Sequence, residues 1–115
     1  MPDNLIKNDT NTDSDLFNCA LNFDFFKKKW TLPVLIYIKE NAMVGFTPIL
    51  EKFSISPSIL SSTLKELNTK MLISRNVSGD ITPITVEYSV TEQGYELIQI
   101  LSDLFLWYQK YLQLS

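Results

Sequence analysis

Apolar positions along this chain follow helical spacing, then alternate, then return to helical spacing. From Asp15 onward, Leu16, Phe17, Ala20, Leu21, Phe23, Phe25 and Phe26 make a short, strongly apolar segment compatible with helix. A second helix is expected from near Lys29 through Trp30, Val34, Leu35 and Ile38 to about Asn41; Pro33 fits only a first turn, which sets the start close by. Gly45 and Pro48 punctuate a short helix from Thr47 to about Phe53, where Ile49, Leu50 and Phe53 share a face. Ser56 followed by Pro57 is a cap-then-proline start for a longer helix reaching about Lys70. Two helices joined by a tight turn are the skeleton of a helix-turn-helix.

The period then changes. Leu72 to Val77 and Thr85 to Val90 read as strands, the second alternating Val86, Tyr88 and Val90 with Glu87 and Ser89. Ser78-Gly79-Asp80 supplies the turn signal, so the pair is expected to form one hairpin with a loose tip at 78–84. Thr91, with Glu92 and Gln93 behind it, is placed to cap a last helix that carries Tyr95 to Leu114. The fold class expected is therefore mainly α with a small β-hairpin, in the order of a winged helix-turn-helix.

Two helices carry the functional expectations. At ~100° per residue, Ile59, Leu60, Leu64, Leu67 and Met71 fall on one side of the 56–70 helix, and Ser58, Ser61, Ser62, Lys65 and Thr69 on the other. Small hydroxyls allow close approach to a groove, and a lysine can reach a phosphate or guanine. A plain solvated surface accounts for the same residue types. The last helix is too apolar for a monomer: Leu97, Leu101, Leu104, Phe105, Tyr108 and Leu112 make one stripe, while Ile100, Trp107, Tyr111 and Leu114 spread onto a neighbouring face. Either a two-fold partner covers the second face or the N-terminal helix does so within one chain.

Composition narrows the classes. A chain of 115 residues, 45% hydrophobic and 20% charged, suits one domain with one core. Lys39, Glu40, Asp103 and Lys110 break the best apolar runs before the ~20 residues a bilayer needs. The N-terminus lacks the basic start of a secretory signal, so a cytoplasmic location without membrane contact is expected. The single Cys19 excludes an intramolecular disulfide, and the absence of histidine removes the common zinc sets and histidine-based catalysis. No enzyme, metal or cofactor is expected, and no small-molecule effector can be named.

The net charge of −3 looks wrong for a protein that holds a polyanion. It is unevenly placed: residues 1–15 carry Asp3, Asp9, Asp13 and Asp15 against Lys7, which leaves nine cations and nine anions from residue 16 onward. The acidity belongs to residues 1–15, of which 1–14 are expected to be a flexible tail before a domain at 15–115.

Within that domain, Lys29-Trp30-Thr31-Leu32, Ile55-Ser56-Pro57-Ser58-Ile59-Leu60-Ser61, Leu64-Lys65-Glu66-Leu67 and Val86-Glu87-Tyr88-Ser89-Val90-Thr91-Glu92-Gln93-Gly94 resemble, in order, the motifs of the HxlR family, over residues 19 to about 112. The resemblance implies a MarR-like transcription regulator, dimeric through its N- and C-terminal helices and binding double-stranded DNA. Carried onto this chain, it makes Ser56, Ser58, Ser61, Ser62, Lys65, Lys70 and Arg75 the DNA-binding candidates. The apolar stripe Leu97, Leu101, Leu104, Phe105, Tyr108 and Leu112 becomes the dimerisation candidate.

Departures pull the other way. Thr63 and Thr85 stand where the family commonly has cations, Lys27 to Lys29 where it tends to have glycines, and no cation lies between Arg75 and Lys110. Lys27, Lys28 and Lys29 either touch phosphates or form a solvated run. Cys19 is a redox-sensing candidate by resemblance, and otherwise a small hydrophobe between Phe17 and Leu21. The uncharged wing leaves a rival open: a winged-helix dimer that has lost DNA binding and serves as a protein-interaction module.

Overall fold

The computed structural model describes residues 12–79 and 83–112. Among the described residues six helices and three short strands follow one another: α1 (Thr12–Leu21), α2 (Asp24–Lys27), α3 (Thr31–Glu40), β1 (Val44–Gly45), α4 (Phe46–Phe53), α5 (Pro57–Thr69), β2 (Ile73–Ser78), β3 (Thr85–Val90) and α6 (Glu92–Leu112). The architecture is a winged helix-turn-helix, with α4 and α5 as the helix pair and β2–β3 as the wing. Helix α1 begins at Thr12, inside the 1–14 segment read as a tail; residues 1–11 lie outside the described residues, as do 80–82 at the wing tip and 113–115.

Three details differ from the pattern reading. The apolar segment after Asp15 is broken at Asn22, whose side-chain amide donates to the Asn18 carbonyl at 2.8 Å and closes α1. Asp24 then starts the separate α2 with a carboxylate in its first turn. The sheet also has a third strand: β1 pairs antiparallel with β3, Val44 opposite Tyr88 and Gly45 opposite Glu87, giving the order β1-β3-β2. Two residues offer no alternation to read, so sequence pattern could not announce β1. The expected hairpin is present, paired from Ile73 opposite Val90 to Ser78 opposite Thr85.

The core lies where α3, α4 and α5 meet the sheet. Val34, Leu35 and Ile38 of α3, Ile49 of α4, Leu60 and Leu67 of α5 and Ile73 of β2 are buried, with Tyr88 of β3 closing the layer. Trp30 and Tyr37 meet Phe53 edge-on at 5.7 Å and 5.6 Å between ring centres. Leu101 is the buried apolar side chain that α6 contributes.

The end of α5 and the start of α6 form one hydrogen-bonded junction. Met71 is left-handed, φ 64°, and its N–H donates to the Asn68 carbonyl while Leu72 N–H donates to the Leu67 carbonyl, both at 3.0 Å. This is a Schellman stop with methionine where glycine is preferred. Thr91 N–H donates to the Leu72 carbonyl at 3.1 Å, Thr91 Oγ1 donates to the Met71 carbonyl at 2.7 Å, and Gln93 Nε2 donates to the Lys70 carbonyl at 3.0 Å. Thr91 Oγ1 also accepts the Gly94 N–H at 3.0 Å, the N-terminal cap the sequence suggested. Gln93 takes no part in that cap; it reaches back across the junction. The direction of α5 is thereby tied to the direction of α6.

Met71 supplies a direct test of the stop. Its side chain is exposed, so Met71→Gly loses little packing and relieves a left-handed methionine. The variant is expected to gain about 0.5–1 kcal/mol, seen as a thermal midpoint a few degrees higher at equal protein concentration. An unchanged or lower midpoint rejects this account.

Candidate nucleic-acid interface

Helix α5 buries Leu60, Leu64 and Leu67 and turns Ser58, Ser61, Ser62, Lys65, Asn68 and Thr69 outward. Ser56 caps the helix, accepting the Ile59 N–H at 3.2 Å, with Pro57 at the first helical position. The hydroxyls of Thr63 and Thr69 donate back to the carbonyls of Ile59 and Lys65, each at 2.8 Å. Among the described residues, no side-chain hydrogen bond engages Ser58, Ser61 or Ser62, so these hydroxyls are free to donate or accept outward. Exposed serines at the first turns of a recognition helix sit where base-edge contacts are made in this motif.

Cations flank the helix on both sides. Toward the wing, Lys65 and Ser61 share a hollow of about 260 Å³ with Asn68, Arg75, Phe46 and Tyr88. Toward the N-terminal segment, Lys65 and Ser62 share a second hollow with Lys28, Glu66, Thr69 and Lys70. Lys65 belongs to both and is the centre of the surface. Lys70 follows the helix as its C-cap and lies over the Phe25 ring, Nζ 5.5 Å from the ring centre. The fold therefore brings Ser58, Ser61, Ser62, Lys65, Lys70 and Arg75 to one surface, with Ser56 at its edge as a cap.

Two further residues join this surface beyond the sequence candidates. Asn68 stands one turn beyond Lys65, seven residues after Ser61, and an exposed amide can pair with adenine. Its spacing was the available signal, but it falls at the rim of the polar face, where pattern alone does not separate reader from bystander. Glu66 is the other, half-buried on the opposite rim.

The basic run before α3 is not a free cationic patch. Lys27 Nζ lies 3.7 Å from Asp24, Lys28 holds Glu66, and Lys29 lies over the Trp30 ring at 4.9 Å. Among the described residues the wing carries no cation beyond Arg75, and it exposes Val77 and Ile84. Asp80 falls in the undescribed tip.

The six candidate interface residues of α6 divide between two sides. Leu101 is buried in its own chain and Leu97 is half-buried against the same core. Phe105 lines a groove of about 430 Å³ with Ile36, Ile98 and Leu101, between α3 and α6. Leu104, Tyr108 and Leu112 are exposed, and so are Ile100, Trp107 and Tyr111. Ile100, Leu104, Trp107 and Tyr111 repeat at intervals of four, three and four residues, the spacing of a helix-pairing seam. Helix α1 exposes Leu16, Phe17 and Leu21 and keeps Cys19 half-buried. No helix among the described residues is long and apolar enough to cross a membrane, and none of them form a metal-binding cluster.

Comparison with known proteins bears on what these surfaces serve. Residues 25–115 match the model of the HxlR-like helix-turn-helix family. The chain is 31% identical over 85 residues to YvaP of Bacillus subtilis, named as a helix-turn-helix-type transcriptional regulator, covering 73% of this chain and 77% of that one. Among solved structures, a MarR-family transcriptional regulator from Enterococcus faecalis superposes with a TM-score of 0.75 at 25% identity over 96% of each chain. The reduced form of the transcriptional regulator YodB from Bacillus subtilis superposes at 0.70 and 24% identity, covering 90% of this chain and 94% of that one, and shows the same fold.

Proposed function

Because the chain belongs to the HxlR-like helix-turn-helix family and is a transcription regulator, we propose that it acts in the cytoplasm as a homodimer on a pseudo-palindromic duplex site. In this reading α5 enters the major groove, the wing lies beside the backbone, and promoter occupancy is the regulatory act. The observation that carries it is the outward face of α5, three serines with unengaged hydroxyls around Lys65, flanked by Lys70 and Arg75. Serines and Asn68 would supply base-edge contacts and the cations phosphate contacts. The open seam on α6, with the exposed apolar side chains of α1, supports the two-fold partner.

Selection from a random duplex library, followed by anisotropy titration of the best duplex, tests the reading. Saturable binding is expected at ~50 mM salt, falling steeply by ~200 mM. Three cations per protomer give about six per dimer and a slope of log affinity against log salt near −5. Lys65→Ala should weaken binding about tenfold and reduce the slope by about two in the dimer, one per protomer. A protein that selects no duplex at low salt is not a DNA binder, and the interaction-module alternative, which rests on a wing with no cation beyond Arg75 among the described residues, would then stand.

A further inference from the structure

Helix α5 carries one cation and one carboxylate, Lys65 and Glu66, adjacent in sequence. Alone it would bring no net charge to a polyanion, and it would hold a carboxylate beside the groove it is meant to enter. Lys28 changes that balance. Its Nζ reaches both Glu66 oxygens, at 2.9 Å and 3.0 Å, from a segment 38 residues earlier in the chain. The two side chains line both hollows on this flank of α5, beside Ser62. The neighbouring lysines face other groups, Asp24 and the Trp30 ring.

We propose that Lys28 is a positioning residue of the DNA-binding surface: it holds and neutralises the Glu66 carboxylate at the rim of α5, so that the face around Ser62 and Lys65 meets phosphate with a net positive charge. This role rests on the duplex-binding reading of α5. Lys28 is more than half exposed, with 56% of its side chain accessible, and an exposed pair adds little to stability. Its effect lies in the field at the interface, where a like charge against phosphate acts on binding. It also explains how a recognition helix can tolerate a glutamate one residue from its central lysine.

The test is a double-mutant cycle on the duplex selected by the wild-type protein, with K28A, E66Q and K28A/E66Q, and K28R as the conservative variant. K28A is expected to weaken binding about five- to tenfold while its thermal midpoint stays close to wild type. E66Q should bind several-fold tighter than wild type, K28A/E66Q, whose net charge equals that of the native pair, should bind within about twofold of wild type, and K28R should retain affinity. If K28A/E66Q binds as weakly as K28A, Lys28 contacts phosphate directly and the proposal is wrong. It is equally wrong if E66Q alone loses as much as K28A, since Glu66 would then be a contact in its own right, or if K28A changes nothing. Absence of wild-type binding would remove the duplex-binding reading itself, an outcome visible before any variant is compared.

Discussion

Gly94→Ala will cost about 3 kcal/mol of stability and lower the thermal midpoint by about 10–20 °C, although alanine is the better helix former. Gly94 is the third residue of α6 and is buried. In an ordinary helical position the exchange gains up to about 1 kcal/mol. Here a Cβ would overlap the Leu72 carbonyl oxygen and come within 2.7 Å of Val90 Cγ1. Valine could turn aside; the carbonyl cannot, because it is backbone and accepts the Thr91 N–H at the junction of α5 and α6. Steric overlap in a packed core costs ~1–3 kcal/mol, and a backbone obstacle puts this case at the upper end. Gly45→Ala is the internal control: its Cβ would find Val86 O at 3.6 Å and Pro48 Cδ at 3.8 Å, ordinary contacts. Thermal melts followed by circular dichroism at equal concentration decide it. A G94A midpoint within a few degrees of wild type would falsify the packing argument, and equal losses at both glycines would reject it too, since chain entropy favours alanine at each and only Gly94 meets an obstacle.

Why position 94 requires glycine is not legible in the sequence. Its place after Val90-Thr91-Glu92-Gln93 is visible, and the Thr91 cap can be argued from residue types, but the close approach of Leu72, in the turn between α5 and β2, to α6 is a tertiary fact with no local signature. Long elements were legible because their periods were long: α5 from its Ser56-Pro57 start through three buried leucines, and β3 from its alternation. The two-residue β1 had no period to show. The DNA-binding candidates gathered on one surface because they lie on one helix face and the strand beside it. Lys28 and Glu66 escape sequence pattern for the opposite reason: they stand 38 residues apart, one in a basic run and the other in a helix motif.

The apolar face of α6 shows the same limit and yields the second large expectation. Sequence analysis assigns Leu97, Leu101, Leu104, Phe105, Tyr108 and Leu112 together to the interface, because periodicity cannot show which of them the chain keeps for its own core. The structure buries Leu101 to 7% exposure and leaves Leu104 at 49%, so the open seam is the stripe of Ile100, Leu104, Trp107 and Tyr111. If a second copy pairs along that seam, Leu104→Glu places a carboxylate in the interface twice, once from each protomer. Uncompensated burial of each costs several kcal/mol, so the dimer should weaken by at least about a thousandfold. Sedimentation velocity at micromolar concentration should then give a folded monomer, with the helical circular dichroism retained because Leu104 touches no core. Affinity for the selected duplex should drop about a hundredfold or more, since two recognition helices would no longer be held at a shared effective concentration. Leu101→Ala should do the reverse, losing about 2–4 kcal/mol of stability to a cavity while leaving the seam in place. A Leu104→Glu protein that stays dimeric would move the two-fold contact off this seam, and duplex affinity surviving in a monomer would show that one α5 suffices.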